Sequence, residues 1–255
     1  MRRWKEKGPA VRLYESAFGD VLGESMHPGG PRLTARAAEM AGLSREAHLL
    51  DIACGRGSTA RFLCQAYGCR VTGMDLSDRQ ISAAIAGVRR LGTRVDFAVA
   101  DAMHLPWKDS TFDAAISECA FSLVPDKMRA AQEIHRVLKS GARLVITDVV
   151  LRGEIDAETR VPSGFAACIA GAKPLDGYVR ILEGIGFHTP YTEDHSAELK
   201  KMAYRILLRC GSMERVCTQV ADGVRTGQEG NDSTGWLTLF RQARPGYALL
   251  VMTKQ

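Results

Sequence analysis

The run Leu49-Leu50-Asp51-Ile52-Ala53-Cys54-Gly55-Arg56-Gly57, followed by Val71-Thr72-Gly73-Met74-Asp75-Leu76-Ser77, decides the reading of this chain. Leu49, Leu50 and Ile52 predict a short buried strand, after which the chain turns through two glycines into a helix opening at Ser58 and running through Leu63. Without a Cβ, Gly55 and Gly57 let the backbone turn sharply and let a ligand come close. A second strand over Arg70–Met74 ends at Asp75, about twenty residues after the glycines, where a carboxylate accepts both ribose hydroxyls. A dinucleotide site would show a third glycine near Thr59 or Ala60, and Asp51 would repel its pyrophosphate. The pattern therefore predicts an adenosine carrying a cationic tail.

Over roughly His27 to Phe187 these motifs resemble the class I S-adenosylmethionine-dependent methyltransferases. The resemblance implies S-adenosyl-L-methionine as cofactor, with the D-x-x-x-G-x-G turn (Asp51, Ala53, Gly55, Gly57) around its methionine part. It places Asp75, Leu76 and Ser77 at the ribose, Asp101, Ala102 and Met103 beside adenine, and Ser117 among the cofactor contacts. An ordinary strand-to-helix turn with no ligand is the alternative. Three acidic strand ends in register argue against it.

The central region keeps the same rhythm. Val95, Phe97 and Val99 alternate and lead into Asp101; Phe112–Ile116 is another strand, with Ser117-Glu118-Cys119 at its end. Lys127–Leu138 reads as a helix with Met128, Ala131, Ile134, Val137 and Leu138 on one face, stopping at Lys139-Ser140-Gly141 before a strand over Arg143–Val150. The stretch Glu133–Asp148 is close to a signature of the same family, with Ser140 and Ala142 where a proline and a glycine are usual. The expected fold is α/β and Rossmann-like: a mostly parallel seven-stranded sheet, helices on both faces, and a helical insertion before the last strand. Residues 1–46 form a helical cap, with a helix over Leu33–Met40 at the cofactor mouth, and residues 47–255 the methyltransferase domain. Gly29 and Gly30 either approach the cofactor or simply turn into that helix. The insertion, 196–225, separates strands near Phe187–Thr192 and Tyr247–Met252 and forms the acceptor lid; 227–235 is a mobile loop.

At 255 residues the chain can bury a substantial core. No apolar stretch is long enough to span a bilayer, and no apolar region follows the basic start, so neither a membrane segment nor a signal peptide is expected and the compartment is the cytoplasm. A net charge of +5 is mild, and no basic run with interleaved aromatics appears, which disfavours nucleic acid. Oligomeric state is not legible.

Seven cysteines without a C-x-x-C pair suggest neither a disulfide framework nor a zinc site, and no metal is expected. Cys64 and Cys69 read as core. Ile116–Arg152 and Ala167–Phe187 resemble the corresponding parts of arsenite methyltransferases, which implies that Cys119 and Cys168 bind trivalent arsenic, since thiolates suit a thiophilic centre. The chain departs from that pattern at Ala60 and upstream of Cys54, where further cysteines are usual, so repeated methylation is in doubt. The alternative is that both cysteines only line a pocket.

The expected activity is methyl transfer from S-adenosylmethionine to a small molecule with an O, N, S or C acceptor, driven mainly by proximity. A hydroxyl acceptor needs a base, for which Glu118, His104 and His195 beside Asp194 are candidates. Arsenite is the alternative acceptor. A non-catalytic S-adenosylmethionine-binding regulator is an alternative of another class.

Overall fold

The computed structural model describes residues 27–88, 94–156, 166–211 and 233–255. Seven strands form one sheet: β1 (His48–Ile52), β2 (Arg70–Asp75), β3 (Val95–Val99), β4 (Phe112–Glu118), β5 (Leu138–Val150), β6 (Phe187–Asp194) and β7 (Gly246–Lys254), in the order β3-β2-β1-β4-β5-β7-β6. The first five pair in parallel, while β7 runs antiparallel to both β5 and β6. The strand order reverses between β1 and β4. In open sheets of this kind a crevice forms at that point, beyond the carboxyl ends of the strands.

Side chains alternate across the sheet. Leu49, Ile116, Val145 and Val251 face one apolar layer, and Leu50, Ala115, Leu144 and Ile146 the other. The first layer is completed by α1 (Gly30–Ala41), through Leu33, Ala37 and Ala38, and by α2 (Ser58–Tyr67), through Ala60 and Leu63. The helix α3 (Asp78–Val88) follows β2. The second layer is completed by α4 (Lys127–Val137), through Ala131 and Ile134, and by α6 (Leu175–Glu183), through Tyr178 and Leu182. Between these two helices comes the short α5 (Ala166–Gly171), whose Cys168 and Ile169 join the first layer. Strands covered on both faces are apolar throughout, which is why β4 and β5 read as runs rather than alternations.

Several boundaries differ from the sequence reading. The helix before β5 ends at Val137, and β5 begins at once at Leu138. The stop signal Lys139-Ser140-Gly141 survives as a register shift within the strand, with Gly141 at φ 77°. Met128 does not join the apolar face of α4. It is 47% exposed, whereas Lys127 is buried. The expected insertion opens as α7 (Ser196–Cys210), and a further helix, α8 (Ser233–Ala243), precedes β7. Ser233–Gly235, expected in a mobile loop, belongs to α8, whose Leu239 and Ala243 are buried against the first layer. The rest of that loop, and 212–225 of the insertion, lie outside the described residues, as does 1–26 of the cap.

Candidate active site

The carboxyl ends of β1, β2 and β4 and the residues following β3 open into one cavity of ≈ 1010 Å³. Asp51, Ala53, Gly55, Asp75, Leu76, Ser77, Asp101, Ala102, Ser117, Glu118 and Cys119 all line it. Gly57, Met103, Cys168 and His195 are not among the lining residues.

The two strand ends flanking the switch point share a backbone feature: Ala53 after β1 and Cys119 after β4 are non-glycine residues at φ 58° and 54°. Such conformations cost on the order of 1–3 kcal/mol unless neighbours enforce them. The Cys54 amide donates to the Met74 carbonyl at 2.8 Å and the Cys119 amide to the Thr147 carbonyl at 2.7 Å, so each turn is fastened to the adjacent strand. Gly57, the left-handed cap of α2 at φ 72°, acts at one remove from the cavity. A Cβ there would collide with the Phe97 ring, so this glycine lets α2 pack close to β3.

Asp51 is 2% exposed, and its Oδ2 has no hydrogen-bond partner among the described residues; the Ser117 hydroxyl is likewise unpartnered. Burial, with the charges of Glu118 and Asp75 added, pushes the Asp51 carboxyl well above its ordinary range. A buried acceptor crowded by two other carboxylates is matched by a cation that can donate hydrogen bonds. Asp75 accepts from the Gly55 amide at 3.0 Å and the Ser77 amide at 2.8 Å, which ties the glycine turn to the end of β2. Asp101 accepts from the Met103 amide at 2.8 Å, so Met103 shapes the turn that presents that carboxylate.

Glu118 is anchored rather than free. Its carboxylate accepts from Thr59 Oγ1 at 2.6 Å and Thr34 Oγ1 at 3.0 Å, and lies 3.4 Å from His27 Nε2. It thereby clasps α1, α2 and the segment before α1 to the end of β4. Sequence reasoning missed His27, Thr34 and Thr59, since nothing local marks three polar residues that meet only on folding. Gly29 serves the turn into α1, as its left-handed cap. His195 sits outside the cavity as the cap residue of α7, 2.9 Å from Glu193 Oε2, while Asp194 is taken up by Ser196 and Arg152. His104 lies 3.7 Å from Asp101 with an exposed side chain.

Leu123, Val124, Met128, Ala170 and Ile181 also line the cavity and form an apolar limb, interspersed with Ser122, Asp126, Lys127 and Lys173. Cys119 faces it, with Cys168 buried behind. Burial and the neighbouring Asp148 push both thiols up, Cys168 to about 12. Among the described residues no group of three or more His, Cys, Asp or Glu is placed to hold a metal ion, and no helix is long and apolar enough to cross a membrane.

A doubly covered 3-2-1-4-5-7-6 sheet with an acid at each of three successive strand ends, opening on an apolar limb, defines a Rossmann-like S-adenosylmethionine-dependent transferase. Residues 50–146 match the family described as methyltransferase domain. Methyltransferase GfsG of Streptomyces halstedii is 30% identical over 230 residues, covering 88% of this chain and 80% of that protein. The 27-O-demethylrifamycin SV methyltransferase of Amycolatopsis mediterranei is 33% identical over 205 residues, covering 71% and 74%. Among solved structures, the [4+2]-cyclase SpnF aligns with a TM-score of 0.75 at 27% identity, covering 95% of this chain and 93% of that one. This chain belongs to the S-adenosylmethionine-dependent methyltransferases.

Proposed function

We propose that the protein methylates an oxygen-bearing small organic molecule held in the apolar limb. The observation that carries this is the unpartnered, buried carboxylate of Asp51, in a cavity of ≈ 1010 Å³ that also has apolar lining able to hold an organic acceptor. The orphaned acceptors and the crowded negative charge fit S-adenosylmethionine, which supplies an electrophilic methyl group when bound. Asp51, Ala53, Gly55 and Ser117 hold its amino-acid part, with Gly57 fixing the turn; Asp75, Leu76 and Ser77 take the ribose. Asp101 and Ala102 flank the adenine, with Met103 fixing their turn. Glu118 acts as the clasp described above, and the limb excludes water and orients the acceptor.

The names of the relatives support an organic acceptor, one of them being a methyltransferase of an O-demethylated rifamycin. Arsenic at Cys119 and Cys168 is the weaker reading, because a soft-metal site needs thiolates and both thiols are held protonated by burial and by Asp148. His195 does not line the cavity and pairs with Glu193, so it has no part as a base in this reading. The test is calorimetric titration with S-adenosylhomocysteine, followed by transfer of labelled methyl to a panel of alcohols, phenols, amines, thiols and arsenite. Methylation of organic hydroxyls is expected. Binding without transfer to any probe favours a regulator, and transfer to arsenite alone favours the thiophilic reading.

A further inference from the structure

The strands beneath the acceptor limb hold a buried acid that none of the roles above uses. Asp148 lies in the apolar run Leu144–Val150 of β5 and is 2% exposed. Its Oδ1 accepts from the Ser122 hydroxyl at 2.8 Å, its Oδ2 from the Ser122 amide at 2.7 Å, and the Val149 amide donates to Oδ1 at 2.7 Å. Asp148 is not among the residues lining the cavity, but Ser122 is. Ser122, itself only 1% exposed, thus lines the space for an acceptor while its hydroxyl and amide are bonded to a fully buried carboxylate. Among the described residues no ion pair engages Asp148. The ammonium of Lys127 is instead spent on the Ser122 and Val124 carbonyls, each at 2.9 Å.

We propose that Ser122 and Asp148 form the proton path for a hydroxyl acceptor, with Ser122 touching the acceptor and Asp148 receiving the proton through it. This deepens the methyltransferase reading and rests on it. The acceptor O–H proton passes to Ser122 Oγ as the serine's own proton passes to Asp148 Oδ1. The acceptor oxygen forms the new O–C bond, and the C–S bond breaks with its electron pair left on sulfur. A sulfonium and a carboxylate thus become a neutral thioether and a carboxylic acid, which later returns its proton to water.

The surroundings suit this role. Burial pushes Asp148 up to about 6, against the lowering effect of its hydrogen bonds and of Lys127 on α4. A base with a value near the working pH combines ionisation with proton affinity. The other groups around it are Cys119 after β4, Cys168 on α5, Tyr178 on α6 and Tyr247 on β7. All four are pushed up and stay neutral through that range. Lys173, exposed before α6, acts on Lys127 rather than on the acid directly.

The test has one arm without turnover. In the cofactor-free full-length protein labelled with 13C at aspartate carboxyls, one resonance absent from Asp148→Asn should titrate near pH 6 and move in Ser122→Ala. In the second arm, parent kcat for the best hydroxyl probe should fall about tenfold per pH unit below that value. Asp148→Asn should lose this limb and turn over about 10²–10⁴ times more slowly. Ser122→Ala should behave alike, Ser122→Thr should recover most of the rate, and affinity for S-adenosylhomocysteine should hold in all three. The proposal is overturned if only amines, thiols or arsenite are methylated, if no hydroxyl probe is methylated, if the resonance does not titrate near pH 6, or if Asp148→Asn keeps the acidic limb. Loss of S-adenosylhomocysteine binding in the parent itself is a separate result, overturning the cofactor reading beneath it.

Discussion

Thr59 Oγ1 donates to Glu118 Oε2 across 2.6 Å, joining the first turn of α2 to the last residue of β4. A hydrogen bond to a buried carboxylate is worth about 1.5–3 kcal/mol. Thr59→Val keeps the shape and removes the donor, so it should lower the melting temperature by roughly 3–12 °C. Calorimetry showing no change would mean that the clasp contributes nothing to stability.

Asp51→Asn separates binding from folding. The parent carboxylate is buried with one oxygen unpartnered, so neutralising it should leave thermal stability unchanged or raise it. Affinity for a cationic ligand should drop by about tenfold or more, the value of a charge-assisted hydrogen bond. The parent's affinity should also weaken as pH falls through the raised Asp51 value, and this dependence should be absent from the variant. A large loss of stability with unchanged S-adenosylhomocysteine affinity would give Asp51 a structural role.

Asp75→Ala removes the carboxylate assigned to the ribose and also releases the Gly55 and Ser77 amides. Cofactor affinity should fall by about 1.5–3 kcal/mol in titration, with the secondary structure retained. Unchanged affinity refutes the ribose role.

Cys119 and Cys168 should react slowly with iodoacetamide at neutral pH, more than about tenfold slower than free cysteine, because both thiols are pushed up. Mass spectrometry of the modified sites reads this directly. Fast alkylation of either would restore the thiolate pair that arsenic requires.

Arg36 on α1 pairs with Glu193 on β6, and this partner holds the Glu193 carboxyl down at about 2. A depressed folded-state value means that the contribution is complete above the ordinary value of 4.5 and is lost as pH falls toward 2. Glu193→Gln should therefore flatten the acid limb of the stability curve in that window. An identical acid limb in the variant would show the pair to be stabilising nothing, as is common at partly exposed sites.

That Asp51, Asp75 and Asp101 would line one crevice was legible because strand termini announce themselves: each closes an apolar run, and glycine marks the turn between. The rest depends on segments far apart in the chain. His27, Thr34 and Thr59 converge on Glu118 only once α1 lies over the sheet, and no periodicity encodes that meeting. Asp148 did leave a signal, a lone acid inside a strand covered on both faces, where a charge is costly unless it has work to do. His195 looked like a base beside Asp194, yet Asp194 closes β6 while His195 caps α7, and each found a different partner. The stop signal at Lys139-Ser140-Gly141 was real in its chemistry, but pairing with β4 drew it into the sheet.

The position of β7 sets a schedule for biosynthesis. This strand is interior to the sheet, inserted between β5 and β6, and α1 packs near it. Until residues 246–254 have left the ribosome, β5 and β6 both expose unpaired edges, and α1, made long before, lacks part of its seat. The nascent chain must therefore wait with two sticky edges open, so a chaperone that shields strands has most to offer this protein before β7 emerges.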